Sequence, residues 1–140
     1  MPRPSVVLDT NVVVSAHLNP NGQERFVLDL AVNGKLTFYY SEAILAEYDG
    51  VLRRTRFRIA SDKLTESLAL IRNSGKRVEP KINLHIALDP SDDMFLECAQ
   101  EASAQYLVTG NKKHFPATWK STSIVNAREL IEQVIPDLKR

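Results

Sequence analysis

The stretch Ser5-Val6-Val7-Leu8-Asp9-Thr10-Asn11 decides the fold. A short apolar, β-branched run stops abruptly at a carboxylate. Such a run, bounded by polar residues, predicts a strand buried on both faces. In open parallel sheets, ligands gather outside the carboxyl ends of the strands, so Asp9 stands where a site is expected. An acid there is either solvated at the sheet edge or placed for chemistry. The choice turns on whether other polar residues converge on it.

Further along, helical periodicity first appears at Phe26, Val27, Leu30 and Ala31, after the turn Asn19-Pro20-Asn21-Gly22. Leu36-Thr37-Phe38-Tyr39-Tyr40 reads as a strand. Ser41 is a good N-cap for a helix with the apolar stripe Ile44, Leu45, Tyr48, Val51 and Leu52. A further helix starts near Ser61, carries Leu64, Leu68 and Ile71, and ends at Gly75. Arg77-Val78-Glu79 reads as a short strand stopped by Pro80. Asp89-Pro90-Ser91-Asp92-Asp93 is a turn-and-cap sequence before a helix that aligns Phe95, Leu96, Ala99 and Ala102. Tyr106-Leu107-Val108 and Ser123-Ile124-Val125 are short buried strands. Asn126 with Glu129 forms a capping box for a final helix presenting Leu130, Ile131, Val134 and Ile135. Strands alternating with helices predict an α/β fold with a mostly parallel sheet and helices on both faces.

The 140 residues fit a single domain, residues 1–140, with no linker or internal repeat. A hydrophobic content of 44% and a charged content of 25% are ordinary for a globular protein. The net charge of +1 requires any basic surface to be local. The lone Cys98 excludes an intrachain disulfide, and its apolar helical setting predicts a buried thiol in a reducing compartment. No apolar run approaches the roughly 18 residues of a membrane helix. Met1-Pro2-Arg3-Pro4 runs straight into the first strand, so a signal peptide is not expected and the chain reads as cytoplasmic.

Several polar residues belong to the same strand edge as Asp9. Asn111 follows the strand at Tyr106, Asp92 and Asp93 open the preceding helix, and Glu47 lies at the margin of its helix's apolar stripe. Carboxylates gathered this way repel one another unless a cation sits between them. Hard divalent cations take oxygen ligands, and Mg²⁺ is held by one or two carboxylates plus phosphate. That arrangement suits phosphodiester hydrolysis. Asp92 or Ser91 also fits a plain helix cap, and Asn111 a plain turn residue.

Four segments together resemble the PIN-domain family, and within it the toxin–antitoxin components related to VapC toxins. They are Val6-Val7-Leu8-Asp9-Thr10-Asn11, Ser41 to Tyr48, Asp89 to Ala99, and Tyr106 to Phe115. The resemblance implies a three-layer α/β/α sandwich, Mg²⁺- or Mn²⁺-dependent ribonuclease activity, and a homodimer; a toxin of this kind has an antitoxin protein as partner. By the same resemblance Asp9, Glu47 and Asp92 take the positions of the catalytic acids, with Asp93 the alternative to Asp92. Asp9, Asp92 and Asn111 take metal-binding positions, while Asn11 and Thr109 match a polar and a hydroxyl position beside them. The family usually has an aspartate where this chain has Asn111. The amide keeps an oxygen but loses a charge, which lowers metal affinity and opens the alternative of a weakened or inactive RNA- or protein-binding module.

Arg53, Arg54, Arg56 and Arg58 form a basic run after the helix of Glu47, and Lys112, Lys113 and His114 another beside Asn111. Contacts from Arg53, Arg54, Arg56, Lys112 and Lys113 to RNA phosphates would give affinity without sequence information. Tyr39, Tyr40 and Phe57 are candidates for stacking on bases or for core packing. His17, His85 and His114 have no zinc-like spacing, and Trp119 reads as a packing residue. A haloacid-dehalogenase-like phosphatase also begins with a strand ending in Asp, but that family has a second aspartate where this chain has Asn11.

Overall fold

The computed structural model describes residues 3–87 and 89–138. A six-stranded sheet runs in the order β3-β2-β1-β4-β6-β5. Its strands are β1 (Ser5–Leu8), β2 (Thr37–Tyr40), β3 (Lys76–Arg77), β4 (Tyr106–Val108), β5 (Thr118–Trp119) and β6 (Thr122–Val125). All pairings are parallel except β5 with β6. Six α-helices flank the sheet: α1 (Thr10–Leu18), α2 (Gln23–Val32), α3 (Glu42–Leu52), α4 (Ser61–Ser74), α5 (Asp93–Ala102) and α6 (Ala127–Leu138). Val6, Val7 and Leu8 are all fully buried although successive strand residues face opposite ways, so both faces of β1 are covered. This is the mostly parallel, helix-flanked α/β arrangement that the alternating pattern predicts. Cys98 lies in the core, where burial pushes its thiol up to about 12.

The first helix corrects the sequence reading. Helical periodicity begins at Phe26 in the sequence, yet α1 starts at Thr10, directly after β1. Val12, Val13 and Ala16 are buried, but Val14 and Leu18 are apolar as well, so no polar face marks the helical period. Three consecutive valines also have weak helix propensity. Burial overrides that preference, and Asp9 caps the helix by accepting from Thr10 N–H at 2.7 Å. In α2 the expected contact residue Phe26 is instead 42% exposed, and Val27, Leu28 and Ala31 make the buried face.

Gly75 ends α4, though not through a left-handed cap, since its φ is −92°. A Cβ there would fall 2.6 Å from a Phe38 ring carbon and 2.9 Å from one of Tyr40. Glycine is required because the backbone passes flat against two aromatic rings of β2. The short strand read at Arg77–Glu79 begins one residue earlier, at Lys76. β5 is absent from the sequence reading. It folds back on β6 through Lys120, which takes φ 53°, and half-buried Trp119 donates to Gln100 Oε1 at 2.9 Å.

Two connections aim the strand ends. Tyr48 of α3, fully buried, donates its hydroxyl to the Leu8 carbonyl and ties that helix to the end of β1. The β ladder continues past β1 and β4, with Asp9 N–H donating to Val108 O and Thr109 N–H to Val125 O, each at 2.9 Å. Asp9 and Thr109 therefore leave adjacent strands at the same level.

Candidate active site

At the carboxyl edge of the sheet lies a cleft of about 390 Å³. Asp9, Glu47, Asp92 and Asn111 all line it, from four separated parts of the chain. Asp9 is 4% exposed. Its Oδ2 accepts from Thr109 Oγ1 at 2.6 Å and its Oδ1 from Thr10 N–H. Burial, with the Asp92 charge adding to it, pushes the carboxyl up to about 6 against the pull of those donors. The Thr109 hydroxyl also accepts from Asn111 N–H at 3.0 Å, so one buried oxygen fixes both the acid and the following turn. Asn11 performs the matching service from α1, its Oδ1 accepting from Gly110 N–H at 2.9 Å.

Asp92 and Asp93 have separate surroundings. Asp92 precedes α5, makes no side-chain cap hydrogen bond, and faces the cleft. Burial, then the Asp89 charge, with Glu47 also contributing, hold it above the usual carboxylate range. His114 opposes this, its Nδ1 standing 3.4 Å from Asp92 Oδ2. Asp93 instead is buried against the chain that crosses α5: its Oδ1 accepts from Ile86 N–H at 3.0 Å and Ala87 N–H at 2.8 Å. Asp89, not Ser91 or Asp92, caps the single 3-10 turn at Pro90–Asp92, accepting from both Ser91 N–H and its hydroxyl. Those bonds hold Asp89 below the usual range.

The basic residues divide. Arg54 and Arg56 line the cleft, together with Phe57, over whose ring the Arg56 guanidinium lies at 4.9 Å. Arg53 is turned to another groove, where it pairs with Asp49 and donates to Ser61 Oγ at 3.1 Å. Lys112 is paired with Glu129 at 2.9 Å, while Lys113 is exposed. Tyr40 is buried in the core and Tyr39 packs against it. His114, read in the sequence as part of a basic run beside Asn111, lines the cleft, as do Asp89 and Ser91, to which sequence reading assigned no place in a site. The turn chemistry of Asp89-Pro90-Ser91 and the spacing of His114 from Asn111 are the signals that could have found them.

Among the described residues, no three His, Cys, Asp or Glu side chains form a ready-made cage for a metal ion. The donor set nonetheless fits a hard cation that keeps much of its water. It offers two carboxylates raised by burial and by neighbouring carboxylates, Asp9 and Asp92, and the Asn111 amide. Thr10 Oγ1, buried in the wall of the same cleft, has no hydrogen-bond partner among the described residues. No described helix is long and apolar enough to cross a membrane.

An acid-lined cleft at the carboxyl edge of this sheet defines a class that comparison with known proteins names. The PIN domain family matches residues 5–113. The uncharacterized protein MJ1680 of Methanocaldococcus jannaschii is 31% identical over 110 residues, covering 76% of this chain and 70% of that one. The crystal structure of VapBC2 from Rickettsia felis, bound to a DNA fragment from their promoter, contains a chain of similar fold. The TM-score is 0.57 at 20% identity, over 87% of this chain and 98% of that one. The chain belongs to the PIN-domain family.

Proposed function

We propose that this protein is a divalent-metal-dependent endoribonuclease that hydrolyses RNA phosphodiester bonds as the toxin of a toxin–antitoxin pair. The observation that carries the reading is the convergence of Asp9, Glu47, Asp92 and Asn111 on one cleft flanked by Arg54 and Arg56. Asp9 and Asp92, with the Asn111 amide, would hold Mg²⁺ or Mn²⁺. The bound ion would activate water and offset charge on the scissile phosphate. Thr109 and Thr10 keep the Asp9 carboxylate aimed, and Glu47, half-buried on α3 and lining the same cleft, would accept a proton from the attacking water. Arg54 and Arg56 neutralise RNA phosphates, joined by exposed Lys113; Arg53 and Lys112 would first have to leave their carboxylate partners.

The structural neighbour's being a VapBC assembly supports an antitoxin as protein partner. A homodimer in the cytoplasm completes the proposal. Asn111 supports a second reading, a PIN domain that binds RNA or protein with weakened or no catalysis, because the amide brings no charge to the site. Incubating single-stranded RNA with the protein and Mn²⁺ decides between them. The nuclease reading expects cleavage that Asp9→Asn reduces at least about a hundredfold, the scale of a lost charge-stabilising group. Activity that survives this substitution removes the mechanism, and RNA binding without cleavage by the native protein establishes the second reading.

A further inference from the structure

A polar hollow of about 270 Å³ adjoins the acid cleft and shares Asn11 and Asn111 with it as a common wall. Ser15 of α1, Glu24 in the first turn of α2 and Asn126 before α6 complete its polar lining. Its volume is below the range of pockets for drug-sized ligands, so it suits a single heterocycle. Two of its amides have already spent their oxygens. Asn11 Oδ1 accepts from Gly110 N–H, and Asn126 Oδ1 from Glu129 N–H at 2.8 Å. Each is left with its NH₂ group as donor. Glu24 has no ion-pair partner among the described residues and presents an acceptor-only carboxylate. The lining thus combines amide donors with a carboxylate acceptor, the two kinds of group needed by the edge of a base that carries an exocyclic amino group.

We propose that this hollow is a nucleobase subsite that selects the nucleotide next to the scissile phosphate, favouring cytosine, whose exocyclic amine, bare ring nitrogen and carbonyl share one edge, over uracil. The inference rests on the ribonuclease reading for the position of the phosphate. Glu24 accepts from the amine, as carboxylates do from cytosine N4. Asn11 and Asn126 donate to the ring nitrogen and carbonyl beside it. Uracil sets a carbonyl oxygen against Glu24 and leaves both acceptors without a proton, which is the costly case for a recessed polar pair.

The test uses fluorescently labelled five-nucleotide oligo(C) and oligo(U), titrated with the full chain in EDTA and read by anisotropy. Oligo(C) is expected to bind about fivefold or more tightly than oligo(U). Glu24→Gln and Glu24→Ala should each bring the two affinities within about twofold, while Glu66→Gln on the exposed face of α4 keeps the preference. Equal affinities for the native protein, or a preference that both variants retain, overturns the subsite. Mapping cut sites on mixed-sequence RNA with Mn²⁺ separates the two proposals. Cutting that avoids uridine supports both. A binding preference without any cutting sustains the subsite and sinks the nuclease reading, whereas cutting indifferent to uridine overturns the subsite alone.

Discussion

Asp9 accepts hydrogen bonds from Thr10 and Thr109, yet burial beside Asp92 still lifts its carboxyl to about 6. The folded chain therefore binds this proton more tightly than the unfolded chain, whose value is near 3.8. The resulting stability is full below about pH 4, declines as pH rises through the interval to about 6, and is absent above it. The difference corresponds to about 3 kcal/mol. Asp9→Asn is isosteric, and the Thr109 hydroxyl can turn to accept from the new NH₂. This variant is expected to be more stable than the native protein at pH 7.5 by up to that amount, with the advantage gone at pH 4; urea unfolding at both values measures it. A variant less stable at pH 7.5 would mean that the carboxylate's contacts outweigh its desolvation. Asn111 poses the complementary case. Its backbone is fixed by Thr109, so Asn111→Asp adds a charge with little change in the turn. Calorimetric titration should show Mn²⁺ binding tightened by about tenfold, since ligand charge tunes such sites. Unchanged affinity would take residue 111 out of the metal set.

Among the elements, α5 and its approach separate two neighbouring aspartates that no sequence pattern could separate. Successive helical residues differ by about 100° around the axis, so Asp92 and Asp93 fit either role until the path of residues 84–87 is known. Asp93 anchors that path through two backbone amides, whereas Asp92 anchors none. Asp93→Ala should therefore cost about 1–3 kcal/mol of stability by leaving those amides unpaired, and Asp92→Asn should leave thermal unfolding almost unchanged while RNA cleavage is lost. The reverse pattern in melting and cleavage assays would exchange the two assignments. Elements whose signals are local were legible in the sequence. The capping box appears as the reciprocal bonds between Asn126 and Glu129, and Ser41 Oγ accepts from Ile44 N–H. Helix α1 was not legible because its apolar residues surround the axis, and β5 because two residues carry no period. The true reason for Gly75 lies in Phe38 and Tyr40, more than thirty positions away along the chain. Gly75→Ala is accordingly expected to destabilise by about 1–3 kcal/mol in a urea melt, through displacement of those rings.

At the scale of the whole molecule, the acids sit together because parallel topology brings the ends of β1 and β4 to one edge, with α3 and the approach to α5 closing over them. A ligand bound there touches distant parts of the chain at once and so acts against global unfolding. Mn²⁺ at a hundred times its dissociation constant should add about 2.7 kcal/mol to the folded state. Because protons compete for the same oxygens and Asp9 takes up its proton near 6, the gain in melting temperature at the same Mn²⁺ concentration should fall to about half between pH 7.5 and pH 5. A metal-independent melting temperature at both values would separate the cleft from any cation. The outermost strands, β3 and β5, are two residues each. An edge that short offers almost no free backbone ladder for another chain to copy. The sheet is thus poorly suited to seed cross-β fibrils, and a concentrated solution held at neutral pH should give no rise in thioflavin fluorescence while the fold persists.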